Sequence, residues 1–169
     1  MTCNLKYDLL VQFICLIGFY YLATSLFKKK KDDIIANQIV ASFFFLIHYA
    51  FLDAMSGAVT SLIIMVRNVL FHKFKNQKLL SKIFYIVFIV SGIIFFDEWY
   101  SVLPIIGSII YTHLMTKNKS KVLVGNVINA SSWCLYNILA GSYAGVLTEG
   151  TVLIMALISI GRRKKSKTI

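Results

Sequence analysis

Apolar residues in this chain come in long runs, and charged residues are confined to the short gaps between them. Residues 9–27 and 34–52 contain no Asp, Glu, Lys or Arg. A third run, about 55–72, is interrupted late by Arg67, and a fourth, 79–96, includes the uniformly apolar IFYIVFIVSGIIFF. The fifth covers 99–116. Residues 122–148 then carry no charge for 27 positions, which is too long for one span, since crossing the hydrocarbon core takes about 20 residues. Ala140-Gly141-Ser142 is a natural break, giving a sixth helix over 122–140 and a seventh over 143–161. The pattern predicts an all-α bundle of seven transmembrane helices in a single domain, with residues 162–169 as a basic tail.

Charge placement tests that count. The chain holds 18 Lys and Arg against 7 Asp and Glu, a net charge of +11. Sixteen of the basic residues fall in four clusters: Lys28–Lys31; Lys73, Lys75, Lys78 and Lys82; Lys117, Lys119 and Lys121; Arg162–Lys165 with Lys167. These follow segments one, three, five and seven. The gaps after two, four and six hold Asp53, Asp97 and Glu98 with no Lys or Arg. Excess Lys and Arg in short loops marks the cytoplasmic side, so the N-terminus is expected outside and the C-terminus inside. No recognition motif accompanies the clusters, so the basic charge reflects a lipid bilayer as partner and no nucleic acid. Composition agrees: 58% of residues are hydrophobic and 15% charged, more apolar surface than a soluble fold of this size could bury. Segment one is not expected to be a cleaved signal peptide, because Lys28–Lys31 occupies the place of a cleavage site.

An internal repeat runs through the spans. A shift of 89 places Gly18 on Gly107, Cys15 on Pro104, Lys28 on Lys117, Lys30 on Lys119, Asn37 on Asn126, Ser42 on Ser131, Phe44 on Trp133 and His48 on Asn137. Dropping one residue in the next loop aligns Gly57 with Gly145 and Ser61 with Glu149. Helices one to three (9–72) then correspond to five to seven (99–161), with the fourth (79–96) as linker. One linker after three helices leaves both triplets in the same orientation, a 3+1+3 parallel repeat of the kind found in transporters.

This arrangement resembles the SWEET/PQ-loop (MtN3-like) transporter architecture. The chain is more closely similar to the YgjV-type bacterial inner-membrane family through LIHYAFLDAMSGAVTSLIIMVRNVLF (46–71), LPIIGSIIYTHL (103–114) and SSWCLYNILAGSYAGVLTEGTVLIM (131–155). The resemblance implies a fold and a location in the bacterial inner membrane. In SWEET and PQ-loop relatives a proline in the first helix of each repeat acts as a hinge, and Pro104 in LPIIG looks like such a position. The chain departs from that pattern in repeat one, where Cys15 takes the matching place, and neither repeat has the Pro-Gln dipeptide. That departure argues against symmetrical rocking of the two halves.

Polar groups in hydrocarbon are costly unless paired or facing a cavity, so each is a candidate site. Asn126, Asn129, Trp133 and Asn137 lie within about 80° of arc on helix six, at 100° per residue. Three amides and an indole on one stripe suit a polar cavity wall, with Trp133 offering a flat face and one N–H. Interhelical hydrogen bonding is the other use of such amides. On helix two, Asn37, Phe44 and His48 continue the stripe with weaker polarity. Glu149, about a turn and a half into helix seven, is the one acid well inside a span, and Ser61 is expected to face it from the other repeat. Arg67 lies near the cytoplasmic end of helix three, where its stem can snorkel toward Lys73 and lipid phosphate. Tyr49 and Asp53 are expected at the outer interface.

Cys3, Cys15 and Cys134 lack metal or disulfide spacing, and His48, His72 and His113 are scattered. Asn118-Lys119-Ser120 fits a glycosylation triplet but falls on the expected cytoplasmic side. No catalytic, metal-binding or cofactor constellation is visible, so an enzyme is not expected. The expectation is a small-solute transporter alternating access around a polar cavity between two triple-helix bundles. Its alternative is a non-transporting receptor or assembly protein. The sequence leaves the solute unidentified and a homo-oligomer open.

Overall fold

The computed structural model describes residues 2–25, 31–74, 76–117 and 119–165, without the side chains of 2–6, 31, 32, 34, 35, 119, 120 and 162–165. Lys28–Lys30, Lys75, Asn118 and residues 166–169 of the tail, with Lys167, lie outside these residues, as do the repeat matches that rest on Lys28 and Lys30. The described residues form seven α-helices and one 3₁₀ turn: α1 (Thr2–Ser25), α2 (Lys31–Phe51), α3 (Met55–Lys73), α4 (Gln77–Ile94), the 3₁₀ turn Trp99–Ser101, α5 (Val102–Leu114), α6 (Lys119–Leu139) and α7 (Tyr143–Lys165). Five of them carry stretches long and apolar enough to cross a membrane: Tyr7–Ser25, Met55–Lys73, Gln77–Ile94, Lys121–Leu139 and Tyr143–Gly161. α2 offers the shorter apolar stretch Ala36–Phe51. α5 is only 13 residues, about 20 Å at 1.5 Å per residue, because the start of the expected fifth span is taken by the 3₁₀ turn. There Glu98 and Ser101 exchange capping hydrogen bonds.

Hydrogen bonds sort the helix ends into two sets. At one end, Tyr7 donates to the Phe51 carbonyl, and Gln12 reaches the α6–α7 turn, donating to the Gly141 carbonyl and accepting from the Ala144 N–H. Asp97 accepts from the Ser56 N–H in the first turn of α3 (3.1 Å) and from Ser101 Oγ. A carboxylate there satisfies an orphan donor and complements the helix dipole. The loops at this end hold Asp53, Asp97 and Glu98, and we call it the acidic end. The opposite, basic end carries Lys73, Lys78, Lys117 and Lys121 near its helix termini. Asn76 caps α4 there by accepting from the Leu79 N–H.

Both turns joining long helices at the acidic end have the same build. The N–H of Ala54 bonds the Tyr49 carbonyl around Asp53 at φ 56°, and the N–H of Ser142 bonds the Asn137 carbonyl around Gly141 at φ 71°. This is the Schellman closure, which needs a left-handed residue that Gly or a short Asx side chain tolerates best.

α1 packs on α2 and α2 on α3; α5 packs on α6 and α6 on α7; α4 leans on α3 and α5, and α7 closes against α1. Tight glycines set the spacing within each triplet. A Cβ on Gly18 would stand 2.8 Å from Phe45, and one on Gly107 would stand 2.8 Å from Ser132. α4 turns Phe84 and Phe88 inward against Phe71 and Ile105. Its outer face exposes Ile83, Ile86, Ile93 and Ile94, a surface suited to lipid.

Candidate functional site

The stripe on α6 lines a cavity. Asn126, Asn129, Trp133 and Asn137 form one wall of a space of about 340 Å³ whose other walls come from α2, α3, α5 and α7, with Leu22 of α1. α7 contributes Gly145, Thr148 and Glu149; α3 contributes Ser61, Arg67 and Asn68; α2 contributes Gln38 and Tyr49; α5 contributes Tyr111. The helical spacing explains the α6 wall. Residues separated by three, four and four positions return to one face, and that face meets the gap between the triplets.

Toward the acidic end the cavity is roofed by aromatic rings. Tyr49 lies 5.4 Å from Trp133 and 5.8 Å from Tyr136, centroid to centroid, and Tyr136 lies 5.8 Å from Tyr100. Three polar contacts hold this roof. Tyr49 Oη donates to Asn137 Oδ1 (2.7 Å), and Tyr136 Oη accepts from the Gly57 N–H (3.0 Å) and pairs with Ser56 Oγ (3.1 Å). Gly57 and Gly145 leave the necessary room: a Cβ on Gly57 would meet Tyr136 at 2.6 Å, and one on Gly145 would meet Asn137 at 2.7 Å.

Some of the polar capacity of the walls is unused. Asn137 Nδ2 and Asn129 Oδ1 are buried and have no hydrogen-bond partner among the described residues. Buried amides are normally satisfied, so these two residues of the cavity wall leave one donor group and one acceptor unpaired.

Arg67 departs from the sequence expectation. Its side chain does not snorkel to lipid phosphate. It is 2% exposed and lines the cavity. Nη1 donates to Thr112 Oγ1 (2.9 Å), Nε and Nη2 both donate to Asn68 Oδ1 (3.3 and 3.0 Å), and the guanidinium lies 5.3 Å from the centre of the Tyr111 ring. Thr112 is free to accept because its own hydroxyl proton goes to the Ser108 carbonyl (2.6 Å). The inward turn follows from α5, which offers a hydroxyl oxygen and an aromatic face where lipid would offer neither.

Of the eight candidate binding residues, the structure brings together Asn126, Asn129, Trp133, Asn137, Glu149 and Ser61 around the cavity. His48 and Asn37 are not among its lining. His48 is fully buried between α1 and the α6–α7 turn, with Nδ1 2.8 Å from the Val11 carbonyl and Nε2 2.6 Å from Ser142 Oγ. Because a carbonyl only accepts, Nδ1 carries the proton; in the neutral ring Nε2 then accepts from Ser142, whose oxygen in turn accepts from the Gly145 N–H and caps α7. Asn37 Nδ2 donates to Thr24 Oγ1 (3.0 Å), joining α2 to α1. Pro104 occupies the first turn of α5, where N–H groups lack an intrahelical partner anyway, so it frees no carbonyl in mid-helix.

Sequence reasoning missed Arg67, Tyr49, Gln38, Asn68 and Tyr111 as wall residues. Tyr49 was expected at the interface, yet it is 3% exposed and belongs to the roof. One signal for Arg67 was present: Thr60, Ser61 and Asn68 share its side of the helix, and a polar side on an apolar helix points to protein or cavity rather than lipid.

The chain matches the Imp-YgjV family, described as bacterial inner membrane protein, over residues 9–167, and it belongs to that family. No curated protein and no solved structure matches it.

Proposed function

We propose that this protein is a small-solute transporter of the bacterial inner membrane, working by alternating access around the cavity between its two helix triplets. The observation that carries this reading is the cavity itself. In a bundle expected to bury apolar packing, about 340 Å³ is surrounded by three α6 amides, an indole, a carboxyl and a guanidinium, with amide groups left unpartnered. A wall of that composition favours a polar solute over lipid.

The reading includes the 3+1+3 parallel repeat, the SWEET/PQ-loop likeness, an N-terminus outside and a C-terminus in the cytoplasm. The matching Schellman turns support the repeat, with an offset of 88 carrying Tyr49 to Asn137, Asp53 to Gly141 and Ala54 to Ser142. In this reading the dropped residue falls within the second helix of the triplet rather than in the following loop, and Asn137 pairs with Tyr49 rather than His48. Alternation of acidic and basic helix ends supports the orientation.

Uptake in proteoliposomes across a panel of labelled polar solutes tests the proposal. Saturable uptake that is lost on replacing Asn129 and Asn137 with Leu is the expected result. Saturable binding without uptake under any ion gradient would favour a receptor and overturn transport.

A further inference from the structure

Arg67 is a buried cation whose partners among the described residues are all neutral. Thr112 and Asn68 take three of its hydrogen bonds and the Tyr111 ring stacks nearby. A guanidinium has five N–H donors in a fixed fork, so one donor remains on each terminal nitrogen. Buried charges in folded proteins are normally paired, and intramembrane arginines mark binding pathways.

Glu149 is not the missing counter-ion. The Gly57 N–H bonds Tyr136, and Gly145 packs on Asn137, so Gly57 and Gly145 lie at similar depth. Arg67 is ten residues beyond Gly57 and Glu149 four beyond Gly145. At 1.5 Å per residue this sets Arg67 about 9 Å nearer the basic end. Asn126, eleven residues before Asn137, comes out level with Arg67, about 16 Å from Asn137. An α-amino acid, with both charges on one carbon, cannot reach Arg67 and Glu149 together.

We infer that the cavity binds small hydroxylated organic anions, with the oxyanion held by the free donors of Arg67 and the hydroxylated body running along Asn126, Asn129 and Ser61 toward the face of Trp133. The fork of arginine suits a carboxylate or phosphate oxygen pair, and the amides both donate and accept, as a polyol chain requires. The volume, near the low end of ligand cavities, limits the solute to roughly sugar-acid size. The inference deepens the proposed function and rests on the cavity reading made there.

The test uses three probes of one shape and different charge: gluconate, sorbitol and glucamine. Affinity is measured by titration calorimetry on the full chain in phosphatidylcholine nanodiscs, with and without phosphatidylglycerol. Gluconate is expected to bind at least ten times more tightly than sorbitol or glucamine. Arg67→Gln should weaken gluconate about 10- to 100-fold, the range for a hydrogen bond to a charged group. Arg67→Lys, which keeps charge but loses the fork, should fall between. Ligand-free Arg67→Gln should unfold no earlier than wild type, because an unpaired buried charge has gone. Equal binding of sorbitol, unchanged gluconate affinity in Arg67→Gln, or stabilisation by phosphatidylglycerol alone with none by gluconate would each overturn the inference. Gluconate binding without uptake would leave it standing and overturn transport; uptake of sorbitol with no preference for gluconate would do the reverse.

Discussion

Gly57→Ala is a direct test of how tightly the cavity roof is closed. The added Cβ would lie 2.6 Å from Tyr136 Oη, 2.9 Å from Tyr136 Cε1 and 3.0 Å from Tyr49 Cγ. Neither ring has room to yield: Tyr136 is 1% exposed and is surrounded by Tyr49, Tyr100 and Trp133. Overpacking of a filled site costs about 1–3 kcal/mol. Displacing Tyr136 also strips the Gly57 N–H of its acceptor, about 1–3 kcal/mol more. Against this, alanine gains roughly 1 kcal/mol of helix propensity, leaving a net destabilisation of about 1–5 kcal/mol. Gly150→Ala is the control, since nothing lies within 4 Å of that position; it should be neutral or slightly stabilising. Thermal unfolding in detergent can be followed by thiol labelling of the fully buried Cys15, with Cys3 and Cys134 replaced by Ser. At about 2–4 °C per kcal/mol for a chain of this size, Gly57→Ala should melt several degrees below both wild type and Gly150→Ala. Tyr136→Phe removes the closest contact, so Gly57→Ala should cost less in that background, with a coupling of about 0.5–3 kcal/mol. If Gly57→Ala and Gly150→Ala melted alike, the roof would not be packed as described.

Three further outcomes are expected. His48→Ala leaves the Val11 carbonyl and Ser142 hydroxyl without their partner and should destabilise by about 2–5 kcal/mol in the same unfolding assay; because His48 does not line the cavity, uptake per folded molecule should be retained. Glu149→Gln keeps shape and hydrogen bonding but removes the ionisable group, so proton- or cation-linked uptake should be lost from a protein that still folds; full, pH-independent uptake would remove Glu149 from the mechanism. Reporters fused after Lys31, Lys78, Lys121 or Lys167 should read cytoplasmic and those after Ala54, Glu98 or Ser142 external, and inversion at two or more sites would overturn the seven-span orientation.

Helix number and the breaks between helices were legible because apolar run length, loop charge and turn chemistry all mark the same places. Ala140-Gly141-Ser142 is the clearest case: Gly141 supplies the left-handed φ and Ser142 the cap that starts α7. The α6 wall was legible because a 3.6-residue period fixes which residues share a face. What lies opposite a face is decided by other helices, and the sequence does not state it. Asn37 matches Asn126 under a shift of 89 in the sequence, but Thr24 of α1 takes its amide, while Asn126 lines the cavity. Arg67 was judged by its distance from the helix end, whereas Thr112 and Tyr111 on α5 decided where its side chain went.

The turn register has a consequence for where the two halves meet. If the triplets are related by an axis along the membrane normal, Tyr49 and Asn137 are equivalent positions, since each closes the same Schellman turn. Those two residues also touch, through the 2.7 Å bond from Tyr49 Oη to Asn137 Oδ1. Equivalent residues in a parallel repeat can meet only close to the axis, so in the proposed repeat the axis would pass through the roof at this bond. Gly57 and Gly145, equivalent in the same register, flank it: Gly57 packs on Tyr49 and Gly145 on Asn137, each on the residue eight positions earlier. The cavity draws its walls from both triplets, as a site close to such an axis would. Rotating the triplets apart at the acidic end must break this hydrogen bond and separate Tyr136 from Ser56 and Gly57, contacts of about 0.5–1.5 kcal/mol each. A roof closed by so few polar bonds, with its rings meeting edge to face and tilted, would open at the cost of those bonds and ring contacts.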